Sequence, residues 1–518
     1  MDRNTLPQNA AFHWSLVGER AHHGIVLPLF SLRSENSSGI GEFTDLLPMI
    51  EWCQSIGWDV IQLLPINDTG RESSPYSALS ANALNPIYLG LSSLPHVMET
   101  PSLKKQLKPL QYLTDTARIP YQEVFEKREA FLREYFSLHA KPFLSSFAYK
   151  NFIDQHSWLH AFAEYKALKI AHDWKSWESW PRFLERPVKE EIDYHLFIQF
   201  LCFKQFAEVK AHAKKHGVLL KGDIPILISR DSADVWHERT LFRLDLSAGA
   251  PPDMFSAEGQ NWGFPLYKWE EIEKNDFAWW RERLRVASVL YDLYRLDHAV
   301  GFFRIWGVPL GMPARSGRFV PEEVSSWAIQ GEGILKRILQ MSPMLPIAED
   351  LGVVPDEARA ILRSLQIPGT KVMRWERAWK QDKRFLSPKE YPPYSMTCVS
   401  THDSETLALW WMNNPEDVRT LCTSKGWTFT YEPSINQLKE ILYDCHHSRS
   451  LFHINLLQEY LQLVPHLSWI NPEDERINIP GTISDKNWTY RFRPYVEEIV
   501  KNPQLHATMR GLIKETLP

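Results

Sequence analysis

Cysteine is scarce in this chain. Only Cys53, Cys202, Cys398, Cys422 and Cys445 occur among 518 residues, and none forms a CxxC pair. That spacing excludes a disulfide scaffold and a zinc ribbon. No stretch approaches the roughly 20 apolar residues of a membrane span. The opening MDRNTLPQNAAFHWSLVGER lacks the apolar run of a secretory leader, so a cytoplasmic protein without a membrane partner is expected. There is no excess of positive charge either, with 58 Lys and Arg against 63 Asp and Glu and a net charge of −5. A broad basic field for nucleic acid is therefore absent, and a neutral substrate fits better. The phosphate-cradling pattern GxxxxGK[ST] is missing, which removes the usual triphosphate site. No internal repeat and no low-complexity linker is visible. His446-His447 is a conceivable metal pair, but adjacent side chains on a helix diverge and no acidic partner is evident. A surface pair is expected there, with no metal and no cofactor.

What is present is ordinary globular composition, 44% hydrophobic and 23% charged. The chain is long enough for several domains, yet barrel enzymes with insertions reach this length as one unit. Tryptophan is abundant at 21 residues. Flat aromatic faces can stack on sugar rings, although most such side chains fill cores.

Apolar runs alternate with helical patterns. Residues 24–30, 58–66, 218–226, 291–297, 345–350, 369–375 and 395–401 read as buried strands. Phe43, Leu46, Leu47, Ile50 and Cys53 trace one helical face, with Pro48 requiring a kink or a late start. Leu196, Phe200, Phe203 and Phe206 trace a second helix that stops near Gly217, and a third lies near 332–342. Pro355 opens another, with Asp356 and Glu357 in its first turn and Ala358, Ile361, Leu362 and Leu365 on its buried face. Repeated strand–helix units imply a parallel sheet, either an open doubly wound sheet or a closed (β/α)8 barrel. Polar clusters after so many strands favour the TIM barrel. A single catalytic domain over 1–518 is expected, interrupted by a helical insertion at 67–190 and by a lid and substrate-binding insertion at 227–288.

Three clusters follow apolar strands: Arg295-Leu296-Asp297-His298, Ala348-Glu349-Asp350 and Ser400-Thr401-His402-Asp403. Retaining cleavage of a glycosidic bond needs a carboxylate nucleophile and a protonated carboxyl about 5–5.5 Å apart. Asp297 is the nucleophile candidate, because Arg295, two positions back on the same strand face, favours its carboxylate form. Glu349 follows an apolar run that would desolvate it and keep it a proton donor. Asp403 could hold sugar hydroxyls and favour distortion toward an oxocarbenium-like state. His298 and His402 would be hydroxyl donors. Any one cluster alone reads more simply as an ordinary strand end. Asp350 is assigned to structure and Asp356 to helix capping.

At these residues the sequence resembles the 4-α-glucanotransferases, or amylomaltases, of glycoside hydrolase family 77. GIVLPLFSLRSENSSGIGEF is similar to the family's LPL…SL…GIG opening, and SPYSALSANALNP to its SPY…S…NP loop. GDIPILISRDSADVW followed by GAPPDMFSAEGQNWGFPLY resembles the GDIPI…SADVW and PPD-x-FS-x-x-GQ-x-WG-x-PLY signature. The resemblance implies transfer of an α-1,4-glucan segment, without cofactor, between maltooligosaccharides or glycogen-like glucans. By the same matching, Asp297 stands as nucleophile, Glu349 as acid/base and Asp403 as transition-state stabiliser. Arg295, His298, His402 and Tyr76 stand as sugar contacts, and Asp253, Gln260, Trp262 and Pro265 lie in a lid. Met254 replaces an aromatic residue common in the lid, and Ser404 a common asparagine after T-H-D. RINIPGTISDKNWTYRF, at 476–492, and STHDSETLALWW resemble the branch acting on maltose and branched glucans. Transferase and hydrolase share this chemistry up to the glycosyl-enzyme, so an α-glucan hydrolase is the alternative enzyme. A non-catalytic glucan-binding protein is disfavoured by the three carboxylates together. The lid's Pro251, Pro252, Phe255 and Trp262 favour transfer by excluding water.

Overall fold

The computed structural model describes residues 6–184, 187–252, 257–379 and 381–514. Eight parallel strands close into a barrel: β1 (His22–Leu27), β2 (Val60–Leu63), β3 (Leu219–Ile224), β4 (Leu293–Leu296), β5 (Leu345–Ala348), β6 (Gly369–Val372), β7 (Ser395–Cys398) and β8 (Phe452–Leu456). Neighbours in sequence are neighbours in space, and β8 returns to β1 through His22↔Phe452. The expected (β/α)8 barrel is therefore the observed fold.

The apolar runs supply the strand positions, but the strands are shorter than the runs. Pro28 follows β1, and the chain turns into a 3-10 segment at Leu29–Ser31. β8 is the strand the apolar pattern does not reveal. His453 and Asn455 interrupt its hydrophobic residues, yet both are buried. Lys221 on β3 is also buried, and its Nζ reaches Gln62 Oε1 on β2 at 2.7 Å and Met396 Sδ on β7 at 3.1 Å. It thus spans the barrel interior, and burial pushes its ammonium down to about 7. Gly222, beside it, permits a close approach: a Cβ there would stand 2.4 Å from the Tyr291 ring.

Helices cover the barrel as the periodicity implies. Pro48 causes no kink, because helix Leu46–Ser55 begins late enough to leave it in the first turn. Helix Lys189–Lys215 carries Glu190 and Glu191 in its first turn and Lys214 and Lys215 in its last, matching its dipole. Gly217 follows at φ +66°, a left-handed stop. Helix Asp356–Ser364 starts after Pro355, with Asp356 in its first turn. The pair His446-His447 departs from expectation. His446 is buried, its Nδ1 2.9 Å from His23 Nδ1 and its Nε2 2.8 Å from the Tyr460 hydroxyl. It ends helix Ile435–His446 on the inner face, where β1 packs, rather than at the surface.

Between β2 and β3 lie helices Pro101–Thr114, Tyr121–Leu144, Phe147–Gln155 and Trp158–Ala171. A four-stranded antiparallel sheet stands apart from the barrel, ordered Arg318–Val320, Ile305–Pro309, Leu246–Ala250, Gln260–Asn261. Two of its strands precede β4 and two follow it. No helix among the described residues is long and apolar enough to cross a membrane.

Candidate active site

The C-terminal ends of β3, β4 and β5 converge on one guanidinium. Arg295, inward-facing on β4, places Nη1 2.7 Å from Asp297 Oδ1 and 2.9 Å from Asp223 Oδ2. Its Nη2 lies 3.4 Å from Glu349 Oε2. Three carboxylates from three strand ends thus share one cation, as period-two alternation on β4 requires of residues 295 and 297. Asp223, the aspartate of GDIPI, is wholly buried and also accepts from the Tyr76 hydroxyl at 2.8 Å.

Glu349 follows β5 directly. Its Oε2 accepts the backbone N–H of His298 at 2.7 Å. That donor is aimed by a left-handed backbone, His298 having φ +45°, a conformation non-glycine residues adopt at a cost of about 1–3 kcal/mol. Burial raises the Glu349 carboxyl; Arg295 opposes this, Asp297 adds to it, and the outcome is about 7. Burial lowers the His298 ring, which therefore stays neutral and meets the Trp262 ring edge-on at 5.0 Å.

On the opposite wall, Asp403 follows β7 by a short turn that Ser404 closes, its Oγ accepting the Thr401 N–H at 2.9 Å. Burial would raise Asp403, but His402 and an Asn478 amide donating at 2.7 Å outweigh it and hold the carboxyl well below its usual range. Burial lowers His402, Asp403 overcomes that, and the imidazole ends above its ordinary value. Tyr76 stacks on His402 at 5.6 Å with its hydroxyl 2.9 Å from Nε2, and Trp488 packs against both rings.

Tyr76, Arg295, Asp297, His298, Glu349, His402 and Asp403 are thereby gathered in one cleft. Gln260 and Trp262 belong to the rim, where Trp262 Nε1 donates to Gln260 Oε1 at 3.0 Å. Pro265 is buried immediately before the short strand Leu266–Tyr267. Asp253, Met254 and Phe255 lie outside the described residues. Asp350 serves structure: its Oδ1 accepts the Thr370 N–H at 2.7 Å, and Gly369 leaves room for it. Sequence reasoning missed Asp223, Asn478 and Trp488 as members of the cleft, although GDIPI and the 476–492 segment carried them.

A closed barrel with carboxylates and aromatic rings gathered at its strand ends is the architecture of a glycosidic-bond enzyme. Comparison with known sequences narrows the class. A family model for glycoside hydrolase family 77, described as 4-alpha-glucanotransferase, matches residues 27–497. The chain belongs to this family of 4-alpha-glucanotransferases. It is 43% identical to a 4-alpha-glucanotransferase of Chlamydia pneumoniae over 98% of this chain and 97% of that one. The corresponding figures for a 4-alpha-glucanotransferase of Chlamydia muridarum are 41%, 96% and 96%. Among solved structures, the amylomaltase of Streptococcus agalactiae, in complex with acarbose, aligns with a TM-score of 0.81 at 26% identity, covering 95% of this chain and 98% of that chain. The amylomaltase of Corynebacterium glutamicum shares the fold at TM-score 0.81 and 19% identity, with 99% and 77% covered.

Proposed function

We propose that the cleft around Arg295 carries out transfer by double displacement, with Asp297 as nucleophile and Glu349 as acid and then base. The observation that carries this reading is the shared guanidinium, which holds Asp297 at 2.7 Å while Glu349, at 3.4 Å, is raised to about 7. One carboxyl is thus kept protonated beside another that is ion-paired, the division a retaining reaction needs. His298 N–H occupies Glu349 Oε2, leaving Oε1 for the proton.

In the first step Asp297 attacks the anomeric carbon of an α-1,4-linked glucan. Glu349 gives its proton to the departing glycosidic oxygen, which leaves as the 4-hydroxyl of the released sugar. In the second step Glu349 removes a proton from an acceptor 4-hydroxyl, that oxygen displaces Asp297, and the configuration is retained. Asp403, held ionised by His402 and Asn478, bridges ring hydroxyls and strengthens its hold as positive charge develops. Tyr76 and Trp488 offer aromatic faces to the donor sugar, and Trp262 with Gln260 forms the acceptor side of the lid.

Donor and acceptor are maltooligosaccharides or a glycogen-like glucan. The acarbose bound by the streptococcal relative supports an α-glucan-shaped cleft. A cytoplasmic setting agrees with five cysteines that are all free and buried. The test is incubation with maltotriose and separation of products by chain length. Glucose together with chains longer than maltotriose is the expected outcome. Products no longer than the substrate, with steadily rising reducing ends, would assign hydrolysis instead.

A further inference from the structure

On the outside of the barrel, helices Leu46–Ser55 and Lys189–Lys215 pack together and bring Glu51, His212 and His216 into one group. One ligand atom from each lies within 4.8 Å of the other two. His212 and His216 are four positions apart, hence on one face of the helix end, with ring centroids 4.2 Å apart. None of the carboxylates in the catalytic cleft belongs to this group.

Two features point to a cation. His216 Nδ1 lies 2.9 Å from the His212 carbonyl oxygen. A carbonyl only accepts, so Nδ1 carries a proton and Nε2 is the ring nitrogen left for a ligand. This is how metal-binding imidazoles are oriented by their surroundings. The second feature is His212 Nε2, which is shielded from solvent and makes no hydrogen bond of adequate geometry among the described residues. It faces Glu51 Oε1 at 3.1 Å. At that distance the two atoms share a positive centre, either a proton on Nε2 or a metal ion, and the poor hydrogen-bond alignment favours the ion. Two atoms bound to one Zn2+ at about 2.0–2.2 Å stand about 3–3.5 Å apart, so the Glu51–His212 pair already has the spacing of two ligands. The carbonyl end of the helix adds partial negative charge.

We propose that Glu51, His212 and His216 form a binding site for a divalent transition-metal ion of the Zn2+ class, with water filling the open coordination positions. Two imidazoles and one carboxylate select against Mg2+ and Ca2+, which take all-oxygen shells. The ion fastens the end of one barrel helix to the flank of its neighbour. Because it binds the folded chain, it stabilises that state as its concentration exceeds the dissociation constant.

The experiment uses the untagged full chain, stripped with chelator and titrated with ZnCl2 by equilibrium dialysis, with CoCl2 absorbance as a second probe. One saturable ion per chain is expected, together with a higher Tm in excess Zn2+. His212→Gln/His216→Gln should bind at least about 10-fold more weakly. Glu51→Gln, at an exposed position, should also weaken binding and serves where the double variant does not fold. Transfer activity of the metal-free chain should equal that of the variants, which separates this site from the catalytic reading. No saturable binding, or variants that bind as tightly as the parent, would overturn the proposal.

Discussion

Arg295 holds Asp297 through the same nitrogen, Nη1, that binds Asp223, at 2.7 Å and 2.9 Å respectively. The proposed nucleophile is therefore positioned by a cation that is itself fixed from beneath by a fully buried carboxylate. Its partner Glu349 draws on the other nitrogen of that guanidinium. The proposed catalytic pair is consequently oriented as one unit.

Asp297→Asn should lower turnover of every glucan by about 10^4-fold or more, since no glycosyl-enzyme can form. Glu349→Gln should accept an α-glucosyl fluoride, whose leaving group needs little protonation, and then stall. Intact-protein mass spectrometry should show one added glycosyl unit on Glu349→Gln and none when Asp297 is also changed. An adduct on the double variant would mean the nucleophile lies elsewhere.

The pH profile follows from the raised carboxyl. Glu349 must be protonated in the first step, and burial, opposed by Arg295, brings it to about 7. The rate constant kcat/KM should therefore fall as pH rises through about 7. Arg295→Met removes the opposing charge, so the residual activity should keep its basic limb at higher pH. A limb that stays in place in this variant would argue that Glu349 is not the acid.

Tyr76→Phe deletes one hydroxyl that donates to Asp223 at 2.8 Å and meets His402 at 2.9 Å. A hydrogen bond to a charged group is worth about 1.5–3 kcal/mol, so kcat/KM should drop about 10- to 100-fold. Circular dichroism and Tm should stay near those of the parent. A variant with parental kinetics would remove the hydroxyl from the site's machinery.

Acid stability depends on histidines at the opposite end of the barrel. Burial lowers His23 to about 4 and His453 to about 3, and it lowers His446 well below 6.5. Each binds a proton less readily folded than unfolded. Stability is thus full above about pH 6.5 and is lost as pH falls from there toward 4 and 3. Urea midpoints measured from pH 8 to pH 4.5 should decline below 6.5, and less steeply in His453→Leu. An equal decline in that variant would assign the acid sensitivity to other groups.

The barrel was legible because seven strands appear as mainly apolar runs, each closely followed by a polar residue. β8 was not, since His453 and Asn455 look solvent-facing until their partners are known. His453 stacks on His23 at 4.9 Å, and the Asn455 amide donates to the Tyr460 hydroxyl at 2.7 Å. His446 was misplaced for the same reason, because which helix face turns inward depends on His23, far away in sequence. Asp297 and Glu349 stood out by following strands directly, and Asp403 by the polar cluster a short turn after one. Asp223 sits inside its strand, where a carboxylate is easily taken for part of a motif's backbone role. Asn478 and Trp488 come from an irregular segment carried over the cleft by tertiary packing, including the bridge between Arg118 and Tyr490. No local pattern encodes such a placement. Glu51 is likewise invisible as a partner of His212 and His216 until the helices are packed.

The left-handed backbone at His298 has a consequence for variation. Its main-chain N–H, not its side chain, orients Glu349. Any residue except proline can supply that donor, and glycine would supply it without strain. The imidazole is thereby released from the task of aligning the acid. In the proposed mechanism, substrate preference could therefore change through this side chain while the backbone donor keeps Glu349 aimed.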